Sequence, residues 1–313
     1  MSRRVLISGS IAFDNIMVFD GQFKDHILPD RVHMLNVSFL TPSLKREFGG
    51  CAANIAYTLG GLGGEPVILA AVGRDSDEYL ARLDGLSLDR THVLRLDDCY
   101  TAQCFITTDL ADNQITAFHP GAMSHAHRVS ALAALPAAFG IVAPNGKEAM
   151  VRHARELQAS GVPFIFDPGQ GLPMFDGQEL RGLIASASAV AVNDYEASML
   201  CDRTGWREEE IAAQLDALIV TRGAQGAQVW SRGATRLVPA VAVDRTVDPT
   251  GCGDAFRGGL LFGIAQGWDW FESARLGSVL GAMKIECQGP QNHTVTPDAV
   301  ALRFEQAWGH RPW

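Results

Sequence analysis

The 313-residue sequence predicts an α/β fold, a doubly wound and mostly parallel sheet with helices on both faces, and three observations carry that expectation. From Ala138 onward, short runs rich in Ala, Val, Ile and Phe alternate with longer stretches of helical period, and the connections are brief. Parallel strands need a crossover between them, usually a helix, and the sheet so formed is covered on both sides. The first run, Val5 to Phe13, contains only apolar and small residues, as a doubly buried strand requires. No internal repeat, low-complexity tract or linker interrupts the chain, so one domain over 1–313 is expected.

Composition narrows the function. With 47% hydrophobic and 19% charged residues the chain is globular rather than disordered. A net charge of -9, only four lysines (Lys24, Lys45, Lys147, Lys284) and scattered arginines argue against a nucleic-acid or anionic-membrane surface. The six cysteines lie far apart without a C-x-x-C pair, so neither a zinc site nor a disulfide framework is indicated, and a reducing cytoplasm is expected. Ser8, Gly9 and Ser10 interrupt the N-terminal apolar run, which therefore reads as a core strand and not a secretory signal, and no stretch is apolar enough to span a bilayer.

In chain order, the strand Val5 to Phe13 delivers Asp14 and Asn15 at its C-terminal end, where open α/β sheets bind ligands. Gly21 to Phe48 mixes short apolar pieces such as Met34 to Leu40 with turn residues, which predicts strands outside the main sheet. Gly49 and Gly50 precede a helix over Ala52 to Leu62, with Asn54 in its first turn. That arrangement suits a polyhydroxyl ligand, and taken alone it is as readily an ordinary strand-to-helix connection. Gly60 to Gly64 follows that helix, so it reads as a C-cap and not a phosphate loop. A strand over Pro66 to Val72, a helix over Asp75 to Leu83, and two strands within Gln103 to His119 turning near Asp112 and Asn113 come next.

The alternating half then predicts strands at Gly140 to Ala143, Val162 to Asp167 and Ala189 to Asn193, with helices at Lys147 to Ser160, Gln178 to Ala187 and Glu196 to Asp202. Ala217 to Thr221 meets a hairpin of Ala227 to Ser231 and Thr235 to Pro239, and two helices, Gly253 to Gln266 and Phe271 to Glu286, close the domain. His119, His125 and His127 have no carboxylate at ligand spacing and read as packing or surface residues.

The stretch with most chemistry is VDPTGCGDAFRGGLL, from Val247. Gly251, Cys252 and Gly253 form a small-residue turn before a helix, where backbone N–H groups and the macrodipole favour a phosphate or a developing oxyanion. A carboxylate at that spot, Asp254, would repel the anion unless it served to take a proton from a nucleophile. Asn193-Asp194-Tyr195-Glu196 ends a strand and opens a helix; alone it is a capping pattern. Thr221-Arg222-Gly223-Ala224-Gln225-Gly226 closes another strand and, alone, is any hairpin entry.

These residues resemble the ribokinase-like family of sugar and nucleoside kinases, the phosphofructokinase-B type. Its second signature is D-T-x-G-A-G-D, here with Pro249 for Thr and Cys252 for Ala; its first is GG-x-x-x-N, matched at Gly49, Gly50 and Asn54. The resemblance runs from Asp14 to His293 and implies Asp254 as catalytic base, with Gly251, Cys252 and Gly253 as the anion hole. It implies Asp14, Gly49, Gly50 and Asn54 on the acceptor, and Asn193 and Glu196 placing magnesium and the phosphates of ATP. Thr221, Gly223 and Gly226 would line the nucleotide site. It also implies a small β lid from about 14–48 and 99–122, and a potassium site of Asp248, the Thr250 carbonyl and carbonyls within Lys284 to His293.

The expected activity is therefore transfer of the ATP γ-phosphate to a primary hydroxyl. Cys51-Ala52-Ala53 stands where sugar-reading members carry Lys, and Phe105 and Phe118 project from the lid strands, able to stack on a purine or merely to pack the lid. Adenosine, phosphorylated at its 5′-hydroxyl, is the expected acceptor, and a ribose- or fructose-like sugar the alternative. A dinucleotide oxidoreductase would need a G-x-G-x-x-G turn after the first strand, which is absent, and a non-catalytic binding protein would be expected to lack Asp254. The expected partners are small molecules only, for a monomer or homodimer.

Overall fold

Residues 3–27, 36–111 and 113–313 are described by the structure, a computed structural model. Among them the larger sheet has nine strands, in the order Ala234–Val238, Ala227–Ser231, Ala217–Thr221, Ala189–Asn193, Phe164–Phe166, Phe139–Val142, Arg4–Ser8, Glu65–Gly73, Val93–Leu96. All neighbours are parallel except the two pairs made by the hairpin strand Ala227–Ser231. The N-terminal strand is internal, third from one edge, with Leu6 opposite Val67 on one side and Gly140 on the other.

A strand's period of two explains the two cores. Val5 and Ile7 face the helices Cys51–Gly61, Cys252–Ala265 and Trp270–Ile285, burying Ile55, Leu59, Leu260 and Leu280. Leu6 faces the opposite side, where Lys147–Ala159, Gly177–Ser186 and Asp194–Thr204 bury Met150, Leu157, Leu180 and Leu200. Among the described residues, no helix is long and apolar enough to cross a membrane.

A second, four-stranded sheet runs in the order Ser43–Gly49, Ala12–Val18, Ala102–Thr108, Gln114–His119. It corrects one expectation: Val5 to Phe13 is two strands, not one. The chain leaves the large sheet at Gly9, which passes so close to the following helix that a Cβ would lie 3.1 Å from the Ala52 nitrogen. Asp14 and Asn15 therefore belong to the small sheet.

Other differences are local. Residues 36–40 carry no strand, and Met34, Leu35 and Asp112 lie outside the described residues. A third C-terminal helix, Pro297–Trp308, follows the two expected; the Thr296 hydroxyl accepts from Ala299 N and proline opens the first turn. The strand Val93–Leu96 and the helix Glu208–Ala212, of four and five residues, are too short to have shown a period.

Candidate active site

The C-terminal ends of the parallel strands and the inner face of the small sheet enclose a cleft of about 610 Å³, large enough for a small organic ligand. Its base is the start of the helix Cys252–Ala265. Gly251 caps that helix at φ 80°, a left-handed conformation, and a Cβ there would lie 2.6 Å from Pro290 Cβ, so only glycine fits. The anion-hole expectation needs one correction: Cys252 N–H donates to the Pro249 carbonyl at 3.1 Å. The N–H groups of Gly251, Gly253 and Asp254 have no backbone acceptor among the described residues and supply the free donors. Gly251, Gly253 and Asp254 line the cleft, whereas Cys252 turns into a neighbouring cavity.

Asp254 accepts a 2.8 Å hydrogen bond from Asn54 Nδ2. Burial pushes its carboxyl up to about 7; Asn54 and Arg257 oppose the rise and Asp167 adds to it. A proton acceptor balanced near neutrality suits general-base work. Asn54 is itself held, since Gln291 Nε2 donates to Asn54 Oδ1 at 2.9 Å and to the Tyr79 hydroxyl at 2.8 Å. Tyr79 in turn donates to the Gly49 carbonyl at 2.6 Å. One buried chain of hydrogen bonds thus ties the two-glycine turn to the carboxylate. Gly50, at φ 91°, has no room for a side chain: a Cβ would lie 2.6 Å from Ser10 O.

The small sheet brings Asp14 to the opposite wall. Strand register sets Asp14 beside Cys104, and Cys104 beside Phe118, so the three form a row across one face, and all three line the cleft. Gly49 is bare because Asp14 packs over it; a Cβ would meet its carboxylate at 2.3 Å. Burial, followed by the charges of Asp248 and Glu47, raises the Asp14 carboxyl to about 6. Phe105 pairs with Ala117, one step out of register with Phe118, so it lies on the other face of the sheet; of the two phenylalanines, Phe118 faces the cleft.

On the remaining side, Asn193 and Glu196 close a reciprocal capping box: Glu196 N donates to Asn193 Oδ1 and Asn193 N to Glu196 Oε2, both at 2.8 Å. The capping reading is thus correct, yet both residues also line the cleft, and Glu196 Oε1 has no partner among the described residues. Thr221 and Gly223 line both the cleft and the adjacent cavity of about 460 Å³, while Gly226 belongs to the second only. Thr221 Oγ1 donates to the Val192 carbonyl at 3.3 Å.

Two charged residues unremarked in the sequence lie here. Arg257, one turn after Asp254, is buried and donates through Nε to Asp167 Oδ2 at 3.1 Å, and both line the cleft. Neither had a local signal, because their pairing spans 90 residues.

Asp248, expected as a potassium ligand, is engaged by donors of the chain itself. Asp248 Oδ1 accepts from Thr250 N at 2.8 Å, and Oδ2 accepts from Gly289 N at 2.8 Å and Gln288 Nε2 at 3.0 Å. Lys284, fully buried, donates from Nζ to the carbonyls of Asp248 at 2.7 Å and Cys287 at 3.1 Å. An ammonium thus stands beside Asp248, 3.9 Å from its carboxylate, and takes the Cys287 carbonyl out of the expected set. Thr250 itself lines the cleft.

Residues 14–297 match the pfkB family carbohydrate kinase model. The chain is similar to the nucleoside kinase of Methanocaldococcus jannaschii, 27% identical over 277 residues that cover 87% of this chain and 90% of that protein. It is similar to the structure of Burkholderia thailandensis nucleoside kinase in complex with inosine, with 54% identity, a TM-score of 0.91, and coverage of 98% of this chain and 99% of that one. The ADP-inosine complex of that protein is likewise similar, with 55% identity, a TM-score of 0.88, and coverage of 98% and 97%.

Proposed function

The chain belongs to the pfkB family of carbohydrate kinases, phosphotransferases with an alcohol acceptor and a ribokinase-like fold, and from that premise we propose that it phosphorylates the 5′-hydroxyl of a purine nucleoside, adenosine foremost, at the expense of ATP. The observation that carries this reading is Asp254: a half-buried carboxylate, held by Asn54 beside free helix N–H groups, in one cleft with Asp14 and Phe118.

The acceptor lies between the two sheets. Asp14 accepts hydrogen bonds from sugar hydroxyls, and Phe118 offers an apolar face to the base. Burying a purine against such surface at roughly 25 cal/mol per Å² contributes a few kcal/mol, about a hundredfold in affinity over a bare sugar. The uncharged Cys51 at the turn supports a nucleoside over a free sugar, and the inosine bound by the Burkholderia protein supports a purine. The small sheet acts as the lid that keeps water from the reacting groups.

Asp254 takes the proton from the 5′-hydroxyl as the oxygen attacks the γ-phosphorus. The N–H groups of Gly251, Gly253 and Asp254 meet the charge that develops on the transferring oxygens. Magnesium fits the donor set: Glu196 Oε1 is the kind of single carboxylate oxygen that holds this ion together with nucleotide phosphates. When bound, it neutralises phosphate charge. The adjacent cavity, with Thr221, Gly223 and Gly226 on its wall, takes the nucleoside part of ATP.

The test is ADP formation with adenosine, inosine, cytidine, ribose and fructose. The purine nucleosides are expected to be turned over with the highest kcat/KM. Preference for ribose or fructose would overturn the acceptor assignment, and no turnover with any of the five would overturn the reading altogether.

A further inference from the structure

The cage around Lys284 has consequences for catalysis. Lys284 is the one lysine in the long C-terminal half, on a helix whose other inward residues are apolar or small, and it is completely shielded from solvent. Burying an ammonium is costly unless oxygens surround it. Here they do: the carbonyls of Asp248 and Cys287 accept its protons, and the Asp248 carboxylate lies at 3.9 Å. Carbonyl cages of this kind also replace the hydration shell of a potassium ion.

The position of the cage gives it a task. Asp248 lies three residues before Gly251, and its carboxylate fastens Thr250 from one side and Gly289 from the other. Gly289 precedes Pro290, against which Gly251 packs. The ammonium and Asp248 therefore pin both segments that shape the anion-binding turn.

We propose that Lys284 is a tethered monovalent cation: its ammonium holds the turn at Gly251 in the geometry that phosphoryl transfer needs, and the protein requires no potassium. Lys284 is on this account a positioning residue, since it touches neither acceptor nor phosphate. The inference rests on phosphoryl transfer at Asp254, and the test below includes a readout that does not.

Turnover of the wild-type protein, measured in potassium, sodium and choline chloride at equal ionic strength, is expected to be the same in all three. Lys284→Ala removes the ammonium and leaves its oxygens. In sodium or choline its kcat is expected to fall on the order of 10- to 100-fold, the scale of a displaced catalytic group, with the nucleoside KM little changed, and potassium is expected to restore it. Lys284→Met fills the same space without charge and is expected to lose kcat with no rescue. Thermal unfolding supplies the activity-independent arm: potassium is expected to raise the melting temperature of Lys284→Ala and to leave the wild type unmoved. If Lys284→Ala is recovered folded only when potassium is present, the same conclusion follows. A several-fold potassium activation of the wild type, wild-type kcat in Lys284→Met, or no potassium response of Lys284→Ala in either turnover or melting would each overturn the proposal. Failure of the wild type to phosphorylate any acceptor would defeat the functional reading while the melting comparison still decides this one.

Discussion

Asp254 and Asp14 both work as anions, and both are pushed up by burial, to about 7 and about 6. Acid removes them in turn. The logarithm of kcat/KM for the nucleoside is therefore expected to be flat above about pH 7, to fall with a slope near one below it, and to steepen below about pH 6. Asp14→Asn should abolish the steeper limb and weaken the nucleoside, and Asp254→Asn should lower kcat by about 10²- to 10⁴-fold with the fold retained. A pH-independent profile, or near-normal turnover of Asp254→Asn, would remove these carboxylates from catalysis and acceptor binding. Phe118→Ala is expected to weaken adenosine far more than ribose; equal losses would make the ring a packing residue. The Arg257–Asp167 pair answers to stability: Arg257→Met leaves a buried carboxylate without its counter-charge and should cost about 3–5 kcal/mol in denaturant unfolding, a loss that adding Asp167→Asn should partly reverse.

At the scale of elements, the helix Cys252–Ala265 shows how a local conformation becomes chemistry. Gly251→Ala would force a Cβ into Pro290 and into a left-handed residue, at about 1–2 kcal/mol for the backbone alone, and would shift the free N–H groups. Its kcat should fall much more than its affinity for nucleoside; wild-type kcat would show that the turn tolerates displacement. The strands and helices of the alternating half were legible because their period and length agree, from Phe139–Val142 through Ala217–Thr221. The break at Gly9 was not, because the run stays apolar across it and only the close approach of Ala52 turns the chain. The helix Pro297–Trp308 does carry a local signal, since Thr296 and Pro297 mark its start.

For the whole molecule, the site is built from residues that are distant in sequence. Asp254 and the two-glycine turn announced themselves through small-residue motifs, which need backbone room and so leave a pattern. Gln291, Arg257 and Lys284 did not: each is a lone polar residue whose meaning comes from a partner, Asn54, Asp167 or Asp248, that only the fold brings near. The same holds for Cys252, whose N–H is lost to Pro249.

The internal place of Arg4–Ser8, paired on one side with Glu65–Gly73 and on the other with Phe139–Val142, also fixes the order in which the chain can be completed during synthesis. Until Phe139–Val142 has left the ribosome, the first strand keeps one hydrogen-bonding edge bare, and a bare apolar edge recruits other chains. A fragment ending at Pro136 should accordingly aggregate on expression, although it carries Asp14, Asn54 and Phe118. Removing the first eight residues should prevent folding of the remainder, although it touches no residue of the site. Soluble, folded material from either truncation would mean that the large sheet can close without the pairing of Arg4–Ser8 on both sides. The amino terminus is thus the keystone that nascent chains must hold open longest, and early release from the ribosome is the hazard to which this architecture is most exposed.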